Sequence, residues 1–252
     1  MGSQVSALRC LGWGALALII GVGAWLRGAY HELGFRYPDE VIVSAVVGHM
    51  RQSGDWDTNW IKAEVPAEMR QDQYNFSSYH YAVFLAYRAA KLVPALDAWR
   101  SREEGFILYR FLSVAFATAA LVAVLWLAWL AGGGTAALLA GLAAMVAVLQ
   151  VQDAHYVRPE SFMTLLMVLV VALAWPSPQR TTVRVLLSAL LMGLLLACKV
   201  SLVLVCWVPL LAAWWHGGAI VRRVWLVVAA AGAIAAGFTL GDRKSTRLNS
   251  SH

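Results

Sequence analysis

Asp39 and Glu40 are adjacent carboxylates placed just after Arg36-Tyr37-Pro38, where the chain leaves its first apolar run. Charge at the edge of such a run is costly unless it is solvated, paired or used. One reading makes Asp39 the N-cap of a helix with Glu40 in its first turn, which suits the helix dipole. The other makes the pair a working acid–base group. Further along, Arg110, Arg158 and Lys199 stand near the ends of apolar runs, with His155 and Glu160 flanking Arg158 in the polar connector Gln152 to Glu160. Arginine offers a phosphate forked donors and lysine a point charge. A carboxylate can take the proton of an attacking hydroxyl while the same cations hold a departing phosphate. Plainer roles stand beside these. Arg110 and Lys199 can snorkel to an interface, His155 can be a surface hydrogen-bonding residue, and Arg158 can pair with Glu160 across Pro159 for little gain if exposed. No metal-ligand spacing occurs, so no metal site is assigned. A divalent ion on Asp39, Glu40 and His155 stays open, and the cofactor is unknown.

The elements that must position these residues follow from composition. Of 252 residues, 60% are hydrophobic and 13% charged, too apolar for a water-soluble domain and predictive of an all-α, polytopic transmembrane helical protein. Eleven of the fourteen acids fall between Arg27 and Glu104, so one long polar insertion interrupts an otherwise apolar chain. The formal charge of +6 comes from dispersed basic residues that flank apolar runs, which argues against nucleic acid as a partner. Three cysteines in or beside apolar segments read as packing residues, not a disulfide framework.

Residues 1–26 hold a short N-terminus and a first transmembrane helix, Cys10 to Leu26, bounded by Arg9 and Arg27. The run is long for a signal peptide and lacks a clear cleavage site, so a signal anchor is expected, with Arg9 keeping the N-terminus cytoplasmic. Residues 27–105 form an external loop with two amphipathic surface helices. Asp39 to Gln52 carries Val41, Ile42, Ala45, Val46 and Met50 at helical spacing; Ser78 to Val93 carries Tyr81, Phe84, Leu85 and Ala89 with Arg88 and Lys91 opposite. Between them, Gly54 to Trp60 and Gln71 to Ser77 read as loop, a surface for sugars or lipid headgroups or simply a connector. Residues 106–240 read as a bundle of about six helices: Phe106 to Ala131, Thr135 to Val151, Ser161 to Trp175, a hairpin of Val185 to Cys198 and Val200 to Trp215 turning at Lys199, and Val224 to Leu240. The hairpin is preferred to one kinked helix because the combined run is too long for one crossing. Arg9, Arg180, Arg184, Arg222 and Arg223 then lie in the cytoplasm, while Asp39, Glu40, Arg110, His155, Arg158, Glu160 and Lys199 gather at the opposite face.

The order of motifs carries a resemblance. Pro38-Asp39-Glu40 after a first helix, the Gly54-Asp55 segment, and Tyr79-His80-Tyr81 opening a second amphipathic helix are similar to the first external loop of GT-C membrane glycosyltransferases, among them the protein O-mannosyltransferases and lipid A aminoarabinose transferases. Leu108 to Ser113, Asp153 to Glu160, and Gly193 to Lys199 resemble three later stretches of that family, with Val200 where Tyr is common. The resemblance spans residues 10–240. It implies a sugar moved from a polyprenyl-phosphate carrier to an acceptor glycan, lipid or protein, at a site facing the periplasm or exterior of a bacterial inner or plasma membrane. It implies Asp39 as catalytic base with Glu40 beside it, and Arg110, Arg158 and Lys199 on the donor phosphate. Tyr79, His80, His155 and Glu160 would then touch substrate.

Two rivals remain: a transporter or flippase for lipid-linked sugars, using the cations without a base, and a non-catalytic membrane subunit in which Asp39 and Glu40 merely cap a helix. Residues 242–252 (DRKSTRLNSSH) read as a translated sequencing adapter, which implies that the natural chain continues beyond about Leu240.

Overall fold

The computed structural model describes residues 2–29, 38–72, 76–96, 106–176 and 182–242. Arg36, Tyr37, Arg180 and residues 243–252, on which several expectations rest, lie outside the described residues. The described residues are helical and contain no strand. The elements are α1 (Gly2–Gly28), α2 (Pro38–Ser53), α3 (Ser77–Ala90), α4 (Phe106–Met145), α5 (Val148–Ala154), α6 (Pro159–Ala174), α7 (Thr182–Cys198), α8 (Trp207–His216) and α9 (Ile220–Gly241), with 3-10 turns at Ala67–Asp72, Pro94–Leu96 and Val200–Cys206.

By length and composition, two of these helices can cross a membrane: Phe106–Met145 and Ile220–Gly241. Gly12–Gly28, Pro159–Ala174, Thr182–Cys198 and Val200–His216 are apolar but shorter.

The 40-residue α4 is two arms joined at a break. Gly132 (φ −152°, ψ 17°) and Gly133 (φ 70°) leave helical geometry. The left-handed φ at Gly133 favours a residue without Cβ. The second arm folds back on the first, since a Cβ on Gly141 would strike the side chain of Leu125. The arms correspond to the expected runs Phe106 to Ala131 and Thr135 to Val151. The second run is not continuous, however: helix stops at Met145 and resumes at Val148. At the interruption α1 supplies a partner. Arg27, 1% exposed, donates from Nη2 to the Ala144 carbonyl at 2.8 Å and from Nη1 to that of Met145 at 3.2 Å. It thereby satisfies carbonyls that the ending helix leaves without intrahelical donors.

The chain reverses at Lys199. Val200–Cys206 and α8 return along α7, so that Thr182 at the start of α7 meets His216 at the end of α8 (Oγ1 to Nε2, 3.4 Å). Helix α9 then runs beside α7. A Cβ on Gly193 would strike the Ile234 carbonyl oxygen and sit 2.8 Å from Gly237 Cα; one on Gly237 would strike the carbonyl oxygen of Leu190. Two glycines facing each other let the backbones touch, the packing used where small residues line a helix crossing.

The two helices of the polar insertion bury their faces in the main core. In α2 the buried set is Ile42, Val43, Val46, Val47 and Met50. In α3 it is Tyr79, His80, Tyr81, Val83, Phe84, Tyr87 and Ala90. The expected α3 face is therefore corrected: Leu85 is half exposed and Ala89 is exposed. Tyrosine and histidine, amphipathic side chains, take the inner positions because α3 packs against both α4 and α7.

Candidate functional site

Helix α2 begins at Pro38, with Asp39 and Glu40 in its first turn. A proline there is well placed, since its missing N–H has no helical partner in any case. Asp39 thus lies inside the helix, one position past its start, not at the N-cap that the plainer of the two readings gave it. The two carboxylates point to different fates. Glu40 is fully buried. Arg110, one turn into α4 and 2% exposed, grips it with a fork: Nε to Oε1 at 2.9 Å and Nη2 to Oε2 at 3.1 Å. The Val157 N–H donates to the same Oε1 at 2.7 Å. The Arg110 guanidinium lies 4.5 Å from the Phe106 ring centroid. Burying both ions is tolerable only with this degree of satisfaction. The pair joins α2, α4 and the connector before α6.

Asp39, one-quarter exposed, faces Arg158 instead (Oδ2 to Nε, 3.4 Å). Arg158 is also met by Asp153 Oδ1 at 2.9 Å and Glu160 Oε1 at 3.2 Å. One guanidinium therefore holds carboxylates from α2, α5 and α6. Burial, partly offset by Arg158, raises Asp153 and Glu160 above the usual carboxylate range. Asp153 was not among the expected site residues. Its five-residue spacing from Arg158, within a short polar connector between two apolar runs, was the available signal.

His155 lies between two backbone carbonyls, Nδ1 to Val151 O at 2.7 Å and Nε2 to Ala29 O at 2.6 Å. It pins the chain just after α1 to α5. With both ring nitrogens so engaged and Glu40 under Arg110, the trio Asp39, Glu40 and His155 does not form a metal cradle. Among the described residues no group of three or more His, Cys, Asp or Glu side chains is arranged to hold a metal ion.

Tyr79 is buried, with its hydroxyl 3.2 Å from Ser113 Oγ and its ring against Phe116 and Phe162. Burial is the main cause that pushes its hydroxyl well up, with the Glu160 charge adding to it, so the group serves as a neutral hydrogen-bonding hydroxyl. His80 is buried beside it on α3. The start of α3 is tied to the far ends of α7 and α9: Phe76 N–H donates to Cys198 O at 2.8 Å, Ser78 Oγ to Leu194 O at 2.7 Å and Ser77 Oγ to Asp242 Oδ1 at 3.0 Å. Lys199 follows Cys198 directly and is exposed. Near these ends lies a cavity of about 500 Å3, lined by Trp56, Ser78, Tyr81, Phe162, Leu194 and Leu240 among others.

Asp39, Glu40, Arg110, Arg158, Glu160 and the His155 connector are thus brought into one contiguous group by hydrogen bonds and ion pairs. Tyr79 and His80 are buried on α3, Tyr79 against Phe162 of α6, and Lys199 stands exposed at the α7 end. Compared with known proteins, the chain matches no family model, no curated protein and no solved structure.

Proposed function

We propose that the chain forms the catalytic face of an integral-membrane glycosyltransferase that moves a sugar from a polyprenyl-phosphate donor to an acceptor hydroxyl on the outer side of the membrane. The observation that carries this reading is the meeting of Asp39, Asp153 and Glu160 on Arg158, a partly exposed base next to a forked cation. The motif order similar to GT-C transferases supports it.

Asp39 takes the proton of the acceptor hydroxyl. The resulting oxygen attacks the anomeric carbon as the bond from that carbon to the phosphate oxygen breaks. The phosphate leaves with the electron pair and is met by Arg158 and the exposed Lys199. A single displacement inverts the anomeric centre. Arg110 acts at one remove, fixing Glu40 and through it the Val157 backbone that precedes Arg158. The cavity beside Phe162 accommodates the first isoprene units of the carrier.

The bilayer reading rests on the apolar helices. At about 1.5 Å per residue in α-helix and about 2.0 Å in 3-10 helix, Val200–Cys206 with α8 reaches about 29 Å, close to the hydrocarbon thickness of about 30 Å. The 3-10 stretch lengthens a segment that would fall short as pure α-helix.

The test is transfer from a polyprenyl-phosphate hexose in membranes containing the protein. Activity lost in Asp39→Asn with the fold intact is the expected result, and near-normal turnover by that variant removes Asp39 from the base role. The second reading, a non-catalytic membrane subunit, is favoured by one observation: Glu40 is wholly engaged in holding α2 to α4. It predicts no transfer by the wild type.

A further inference from the structure

The end of the bundle away from the candidate site is cationic, and its helices hold no carboxylate to answer the charge. Between Glu160 and Asp242 the sequence contains no Asp or Glu. Helix α6 starts in the candidate site. At its other end, Arg184 of α7 donates from Nη2 to the Ala172 carbonyl at 3.0 Å, and Thr182 meets His216 where α8 stops. The turn between α8 and α9 therefore lies one helix length from Arg158.

That turn carries Arg222 and Arg223 and closes on the second. Gly218 takes a φ of +67°, and a Cβ on Gly217 would lie 2.5 Å from Arg223 Cα, so both positions suit a residue without a side chain. Arg223 Nε donates to the Gly218 carbonyl at 2.6 Å, and its guanidinium lies 5.5 Å from the Trp214 ring centroid. Among the described residues, Arg223 Nη1 and Nη2 make no hydrogen bond. Arg222 is exposed and makes neither a hydrogen bond nor an ion pair among them. A guanidinium held by Nε and a ring, with its terminal nitrogens open, is a fixed fork of the kind that grips a phosphate.

The surroundings choose the phosphate's source. Trp215 and Trp225 are 68% and 70% exposed. Indoles belong at headgroup level, where one part of the ring is apolar and the N–H is wet. Away from the turn the exposed faces of both helices stay apolar, with Trp207 and Leu211 on α8 and Val224 and Val228 on α9. An acidic soluble partner would have to cover that strip as well. A bilayer covers it and brings its headgroups to the level of the arginines. Phosphatidylcholine offers the same phosphate with its own cation attached, so two arginines with no acid on their helices favour a headgroup of net negative charge.

We propose that the α8–α9 turn is a docking site for an acidic phospholipid, with the headgroup phosphate on Arg222 and Arg223 and the upper acyl chains against Trp215 and Trp225. The proposal rests on the bilayer placement in the reading above and on none of its chemistry.

The test uses the full chain in non-ionic detergent micelles, with phosphatidylglycerol or phosphatidylcholine added and bound lipid counted by native mass spectrometry. At about fivefold for each basic residue near an acidic headgroup, wild type should prefer phosphatidylglycerol about thirtyfold. Arg222→Gln should lose about fivefold of that preference and melt as wild type does, because Arg222 holds nothing in the protein. Arg223→Gln should lose at least as much, and the double variant should bind both lipids alike. Excess inorganic phosphate or polyglutamate should leave the bound phosphatidylglycerol in place; displacement by either hands the turn to a soluble anion or an acidic protein and overturns the proposal. Equal binding of the two lipids by wild type, or an undiminished preference in Arg222→Gln, overturns it while the bilayer placement stands. A chain that retains neither lipid overturns it and counts against the bilayer placement too.

Discussion

Glu40 and Arg110 meet through two parallel hydrogen bonds of 2.9 and 3.1 Å in a place that solvent does not reach. Removing one partner of such a pair leaves the other as an uncompensated buried ion. Glu40→Ala should therefore destabilise the protein by about 3–5 kcal/mol. Arg110→Lys should also destabilise, because a lysine cannot reproduce the fork. Glu40→Gln together with Arg110→Met should recover part of the loss, since neither side then carries a charge. Thermal unfolding in detergent measures all three variants.

Asp39→Asn and Arg158→Lys separate the two sides of the proposed chemistry. Asparagine keeps the shape and removes the base, so kcat should collapse while donor affinity holds. Lysine keeps the charge and loses the forked contact, so donor KM should rise with a smaller change in kcat. Steady-state transfer assays of the two variants, read against each other, decide whether the roles are assigned the right way round.

The arginine-centred cluster also carries a pH signature. Burial raises Asp153 and Glu160 above their ordinary values of 3.8 and 4.5, with attraction to Arg158 opposing. Between the ordinary and the raised value, the folded state binds more protons than the unfolded one. The contribution of these groups to stability therefore falls as pH rises through that mildly acidic window. Melting temperature followed across it should show a shallower slope in Glu160→Gln. Arg158→Gln should steepen the slope, because the opposing attraction is gone.

A bulkier residue at the α7–α9 crossing should force the helices apart. Gly193→Val places side-chain carbon against the Ile234 carbonyl and 2.6 Å from Phe238 N. Overpacking of a close contact costs about 1–3 kcal/mol when neighbours can move, and here the neighbour is backbone. Gly193→Val and Gly237→Val should both lower the melting temperature, while a valine at Gly232, where nothing lies within 4 Å, should not through packing.

How much of this was readable from residue order varies by element. In a chain this apolar, charged residues at the ends of hydrophobic runs must come together or meet water, so the gathering of Asp39, Glu40, Arg110, Arg158 and Glu160 followed from segment order. The reversals at Gly132-Gly133 and Lys199 were legible for the same reason, as runs too long for one crossing. The division of labour between Asp39 and Glu40 was not. Consecutive helical residues point about 100° apart, and only the approach of α4 and the Val157 backbone decides which one is enclosed. The α3 face was misjudged because Tyr79 and His80 are chemically ambivalent, and partners such as Ser113 are distant in sequence. Arg27 looked like a flanking charge, with nothing local to announce that it would donate to the end of a helix more than a hundred residues away.

That long separation has a consequence for how the protein is made. The carbonyls that receive Arg27 belong to residues 117 and 118 positions downstream. At translation rates of about 5–20 residues per second, roughly 6–24 s pass between synthesis of the arginine and synthesis of its acceptors. During that interval the guanidinium has to be kept in water or held by another agent. The last turn of α4 is thus synthesised long after the arginine that it receives. A nascent chain arrested before Met145 should leave residue 27 open to aqueous labelling, and one arrested well after it should not.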